Sequence, residues 1–341
     1  MSSYNQIIFS GYSSTQQISL TGYNVQNIIN CYIPQPLYTI TYPFTFSNAN
    51  ITGPTGPTLA QCQSAYSSYT WTQNIAYFNV TTQGIQSWTV PITGFYNIIA
   101  GGANGGTGYP GSGSTSNYGG YGVIISTNVF LQSGNIIKIL VGQSGAKSPS
   151  ANGTYGYGGS GGGGTFISTS NNSPILVAGG GGGGAGSANN DPSNLRNATI
   201  STSGNPGANG GGGGGVNGNA STSTRSGSNG SGGGGYYTGF PSGGSASYVP
   251  PGNGVAAGFG GFGGGGCGGG GGQQSAACGG GGYSGGGYGT NGGGGAAGGG
   301  GSFDINGANN NATLYTNSIN GQPSGGYNTG QGFVIINFIR S

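Results

Sequence analysis

Residues 263–301 read GGGGCGGGGGQQSAACGGGGYSGGGYGTNGGGGAAGGGG. With the blocks Gly179–Gly184, Gly210–Gly215 and Gly232–Gly235 they lie in residues 179–301, a stretch that holds 55 of the chain's 88 glycines. Glycine loses the most freedom on ordering and offers no side chain to pack, so neither an α-helix nor an ordinary sheet is built from such blocks. Two outcomes remain. One is a disordered low-complexity tract. The other is a bundle of polyproline-II-type helices, each with three residues per turn and no hydrogen bonds of its own, so that its N–H and C=O groups need neighbours. A six-glycine block in that form spans about 19 Å. Collagen needs glycine only at every third position because one face of each chain meets the axis. Whole blocks of glycine imply helices surrounded on every side.

The flanks favour order. Strand-like runs lie before the glycines at Ile75–Val80, Ile85–Val90, Tyr96–Ala100, Tyr121–Leu131, Ile136–Gly142, Thr165–Thr169 and Pro174–Ala178. Turn signals such as Gly84, Thr93-Gly94 and Ser133-Gly134-Asn135 separate them, which is the spacing of a sandwich or jelly roll. One more apolar run, Phe333–Ile339 (FVIINFI), lies beyond the glycines and needs that same sheet as its partner. The expected organisation is therefore a sandwich from residues 62–178 and 302–341, with residues 179–301 inserted as the glycine bundle. Residues 1–61, with short β-like runs at Gln6–Ser10, Gln16–Leu20, Val25–Ile33 and Tyr38–Phe46, read as an N-terminal anchor or assembly segment or, equally, as a plain extension of the β domain that follows. Within it Ile51–Leu59 (ITGPTGPTL) reads as a stiff linker, since two G-x-y triplets cannot make a triple helix.

Composition removes several functions. Among 341 residues there are five Lys or Arg, two Asp, no Glu and no His. Acid–base and nucleophilic catalysis draw mainly on groups that are missing here, so the chain is expected not to be an enzyme. Asp191 sits in an Asn-Asp-Pro turn sequence and Asp304 beside the last glycine block, which argues against a paired-carboxylate site. The stretch Gly142–Ser148 (GQSGAKS) fails the phosphate-loop spacing, leaving Lys147 as a solvated loop cation. A net charge of +3 is too thin for nucleic acid, and no apolar run is long enough to span a membrane. No metal or cofactor site is expected. The opening MSSYNQIIF lacks a secretory signal's basic and apolar regions, so synthesis in a cytosol is expected. Cys31, Cys62, Cys267 and Cys278 are candidate disulfide partners, as Cys267–Cys278 or Cys31–Cys62, or else free small residues.

Trp88-Thr89-Val90-Pro91, Gly94–Ile98 (GFYNI), Gly102–Gly106 (GANGG), Ile139–Gly145 (ILVGQSG), Gly161–Phe166 (GGGGTF), Pro174–Gly184 (PILVAGGGGGG) and Gly279–Tyr288 (GGGGYSGGGY) form an ordered series. It resembles the glycine-rich domain of the anaplastic lymphoma kinase and leukocyte tyrosine kinase receptors, over roughly residues 62–339. The resemblance implies a tumour-necrosis-factor-like jelly-roll sandwich carrying inserted polyglycine-II helices, in an all-β fold. Free-standing chains with this domain are similar to glycine-rich surface proteins of large DNA viruses, and phage tail adhesins are a looser architectural relative. Growth-factor binding is not carried over, because the receptors' acidic ligand surface has no counterpart in a chain with two Asp.

The expected function is thus a structural protein of a virion surface, a spike or fibre component that associates with copies of itself or with other capsid proteins. The alternative is a host-attachment adhesin binding a cell-surface glycan. Aromatic side chains do not fit between packed polyglycine helices, so those interrupting the glycines are expected at loop tips or on the outside. Tyr236, Tyr237, Phe240 and Tyr248 are the candidate contacts, since Tyr, Asn, Ser and Gly make adaptable binding loops; the alternative is that such aromatics only cap the bundle and pack its ends.

Overall fold

The computed structural model describes residues 35–109, 117–148, 156–186, 193–208, 214–221, 231–239, 260–266, 276–289, 295–317 and 325–340. The N-terminal runs up to Ile33, Cys31, Cys267, Phe240, Tyr248 and Asp191 lie outside them. The fold is mostly β, in two antiparallel sheets. In chain order the strands are β1 (Phe44–Phe46), β2 (Phe78–Thr82), β3 (Ile85–Thr89), β4 (Gly94–Gly101), β5 (Gly122–Leu131), β6 (Ile136–Leu140), β7 (Thr165–Thr169), β8 (Pro174–Ala178), β9 (Phe303–Asp304), β10 (Tyr327–Asn328) and β11 (Phe333–Arg340). One sheet runs β1-β11-β4-β5-β10 and the other β2-β3-β6-β7-β8-β9.

Alternation along the strands divides their side chains between two faces. Phe44 and Phe46 of β1, Tyr96 and Ile98 of β4, Val123 and Ile125 of β5, and Val334 and Ile336 of β11 point into a core shared with the other sheet. The second sheet contributes Phe78, Trp88, Ile137, Ile139, Ile167 and Leu176 to that core. Burying each such side chain stabilises the fold by about 1.5–3 kcal/mol relative to exposure. The polar tip of Trp88 is satisfied, its Nε1–H donating to the Tyr38 hydroxyl at 2.7 Å.

The remote run Phe333–Arg340 pairs with β4 from Phe333↔Gly101 to Arg340↔Phe95, and on its other side with β1. Residues 44–46 of the N-terminal segment are therefore part of the five-stranded sheet, as an extension of the β domain would be. The stretch 51–59 is also more than a linker. Gly53 O accepts from Phe262 N at 3.0 Å, and Pro57 O accepts from Gly84 N at 2.8 Å. The Gln143 and Gln83 amides donate to Thr55 O and Gly56 O at 3.1 and 2.9 Å. A helix, α1 (Leu59–Ala65), follows it. Its signal was present in the sequence as Thr58-x-x-Gln61, and the two residues form a reciprocal capping box.

Candidate functional site

The glycine segments lie against one another and are joined by backbone hydrogen bonds. Residues 179–184 show the rule. The N–H groups of Gly180 and Gly183 donate to Gly281 and Cys278, those of Gly181 and Gly184 to Ala103 and Gly106, and that of Gly182 to Arg196. The carbonyls of Gly179 and Gly182 accept from Val123 and Gly120, those of Gly180 and Gly183 from Gly300 and Ala297, and those of Gly181 and Gly184 from Gly162 and Gly159. Each direction recurs every third residue, and none of these bonds is internal to the segment. Six different stretches of chain surround this one. The same period holds at Cys278–Tyr283, where Cys278 and Gly281 donate to Gly159 and Gly162, Gly279 and Gly282 to Ser231 and Gly234, and Gly280 and Tyr283 to Gly298 and Gly301. Glycines before residue 179 take part as well, including Gly106, Gly120, Gly159 and Gly162.

Close approach explains the composition. A Cβ placed on Gly180 would lie 2.5 Å from Gly162 O and 2.6 Å from Gly163 O. Both are backbone atoms that cannot swing aside.

Three of the aromatic residues among the glycines do not sit where the sequence suggested. Tyr236 is only 1% exposed and Phe262 and Tyr283 are also buried, whereas loop tips or the outer surface were expected. The second face of the six-stranded sheet presents Ile85, Leu140, Phe166, Val177 and Phe303, and these three rings cover it. The expectation failed because it considered only packing between glycine segments and overlooked an apolar sheet face that needs a cover. Tyr236 further donates its hydroxyl to Asn172 O at 2.7 Å in the β7–β8 hairpin. Burial pushes its ionisation well above the usual tyrosine value. Tyr237 alone of the four candidate contacts is described and exposed, at 61%. It begins, with Tyr236, the single helical turn Tyr236–Gly239.

The other singled-out residues fall as follows. Cys62 is a free thiol buried in α1, and burial pushes it up to about 12; Cys31 and Cys267, the other halves of the two suggested pairings, lie outside the described residues. Cys278 is buried within the glycine array, its Sγ 3.9 Å from Ala276 O. Lys147 is exposed, and Lys138 donates to Asn172 Oδ1 at 2.9 Å. Asp304 is buried, its carboxylate accepting from Asn306 N at 3.0 Å. Among the described residues no group of three or more His, Cys, Asp or Glu could hold a metal ion. No helix among them is long and apolar enough to cross a membrane.

No family model matches the chain. The leukocyte tyrosine kinase receptor of Mus musculus is 36% identical over 113 residues, which is 33% of this chain and 12% of the receptor. That match supports a distant relation to that receptor family across a third of the chain. It spans about an eighth of the receptor's length.

Proposed function

We propose that this chain is a non-enzymatic structural protein of a virion surface, a spike or fibre component that associates with its own copies or with other capsid proteins. In this reading a jelly-roll sandwich carries an inserted array of polyglycine-II helices, with residues 179–301 supplying most of the bundle and glycines from residues 102–164 completing it. The observation that carries it is the three-residue recurrence of hydrogen-bond direction around Gly179–Gly184, with six separate stretches of chain as neighbours. A backbone helix of three residues per turn and no internal bonds requires that pattern. Such an array is stiff, because each segment is cross-linked laterally along its length, and it offers no group for catalysis. The scarcity of charge, seven charged side chains in 341 residues, suits a protein held in an assembly more than one kept apart by repulsion.

Amide hydrogen exchange tests the array. Peptides covering 179–186 and 276–289 are expected to be protected as strongly as β4 and β11. Exchange at the rate of an unfolded chain would leave the disordered, Tyr- and Gly-rich tract as the correct description. Electron microscopy of purified particles labelled with antibody to this chain tests its place, and absence of label from the virion surface refutes that part.

A further inference from the structure

We propose that the outward face of Tyr237 is a binding platform for a neutral saccharide, set on the flank of the sandwich. The ring is held from below. Its own N–H donates to Gly218 O at 3.0 Å, and the ring lies on the Gly218 backbone, where a Cβ would come within 2.6 Å of Cδ2 and Cε2. Gly218 has φ +79° and follows Asn217 at φ 52°, in a turn closed by Asn219 N donating to Val216 O at 3.1 Å. Only glycine meets both demands at 218, a left-handed backbone and no side chain under the ring. The turn is fixed in turn by Gly218 N donating to Ser284 Oγ at 3.1 Å.

Two further rings brace Tyr237 from the side. Tyr236 stands almost perpendicular with centroids 5.5 Å apart, and Tyr283 lies at 6.4 Å and 63°. Despite these contacts most of Tyr237 faces solvent, and the turn it rests on carries half-exposed Val216 and exposed Asn217 and Asn219, with Asn219 Nδ2 donating to Val216 O at 3.2 Å. A fixed aromatic face on a turn with exposed Asn217 and Asn219 has the chemistry to receive a pyranose ring. The sugar's C–H face lies on the aromatic surface, and its hydroxyls exchange hydrogen bonds with the amides. Because the ring is already immobilised, binding gives up little side-chain entropy. A chain with so few charges points to an uncharged sugar over an acidic one.

This platform rests on the ordered array proposed above, because Gly218 and Tyr283 belong to it. The test is saturation-transfer NMR of the full chain with chitotriose, cellotriose and lactose, each at millimolar concentration. At least one is expected to bind, with transfer greatest to the C–H face of one ring. Tyr237→Ala and Tyr237→Leu are expected to weaken binding about tenfold or more, whereas Tyr237→Phe holds it within about threefold. Gly218→Ala weakens it by displacing the ring, and Tyr118→Ala, at a tyrosine that is 74% exposed elsewhere, leaves it unchanged. Failure of all three sugars to bind the wild-type chain overturns the platform, as does binding that survives in Tyr237→Leu. Protected glycine amides alongside absent sugar binding sink only the platform, and unprotected amides sink the array beneath it.

Discussion

Replacing Gly180 by alanine tests whether close lateral packing holds the array together. The new methyl carbon would lie 2.5 Å from Gly162 O, 2.6 Å from Gly163 O and 2.7 Å from Gly163 C. Ordinary contact begins at 3.4 Å, so the neighbouring stretch must withdraw by about 0.9 Å. Those carbonyls accept from Gly281 N and Ala103 N, each at 2.9 Å. A withdrawal of that size takes both bonds beyond hydrogen-bonding range. Two buried bonds left unmade cost about 1–3 kcal/mol each, and stiffening of the unfolded chain returns about 0.4–1 kcal/mol. The net loss is about 1–6 kcal/mol, centred near 3 kcal/mol. Gly134→Ala is the reference, because a Cβ there meets nothing within 4 Å and only its φ of +85° resists. That change costs about 1–2 kcal/mol. Urea unfolding followed by the fluorescence of Trp71 and Trp88 measures both, and hydrogen exchange locates the damage at Gly281 and Ala103. A Gly180→Ala protein no less stable than Gly134→Ala would refute the packing argument.

Two other perturbations address the aromatic cover and the buried hydroxyls. Tyr236→Phe removes the bond to Asn172 O and is expected to cost about 1 kcal/mol, whereas Tyr236→Ala uncovers the sheet face and costs about 3–5 kcal/mol in the same urea assay. Equal stability of the wild type and Tyr236→Ala would show that the ring covers nothing. Burial raises Tyr66 from 10.0 to about 12, and Tyr283 likewise to about 12, so the folded state favours the neutral hydroxyl. Their contribution is fully present below the unfolded value and is lost as pH rises toward the folded one. Stability should therefore be level up to about pH 9 and fall between about pH 10 and 12, by about 3 kcal/mol for Tyr66. Tyrosinate absorbance recorded beside the urea midpoint checks this, and full ionisation near pH 10 without unfolding would contradict it.

Much of the sandwich was legible in the sequence. Thr165–Thr169 and Pro174–Ala178 are strands with the bounds their residues suggested, and Phe333–Ile339 pairs with β4 as its apolar character required. Side-chain alternation marks those strands because a sheet has two unlike faces. The helix α1 was missed although Thr58 and Gln61 announced it, because the surrounding β-like pattern outweighed a seven-residue exception. In the glycine blocks no phase could be read. Identical residues carry no mark of which amide points to which neighbour, so the partners of Gly179–Gly184 are visible only in three dimensions. Tyr236 and Tyr237 are adjacent and alike in sequence, yet one is buried and the other exposed. Nothing local separates them, since a sheet face drawn from β3, β6, β7 and β8 determines which is covered.

The position of β11, between β1 and β4, has a consequence for biosynthesis. During translation β4 leaves the ribosome long before its neighbour on that side exists, and the whole glycine-rich stretch must emerge in between. Until residues 333–340 arrive, the nascent chain carries an open sheet and an unclosed core. Closure is then a late, long-range event, and slow by the usual dependence of folding rate on the sequence separation of contacting residues.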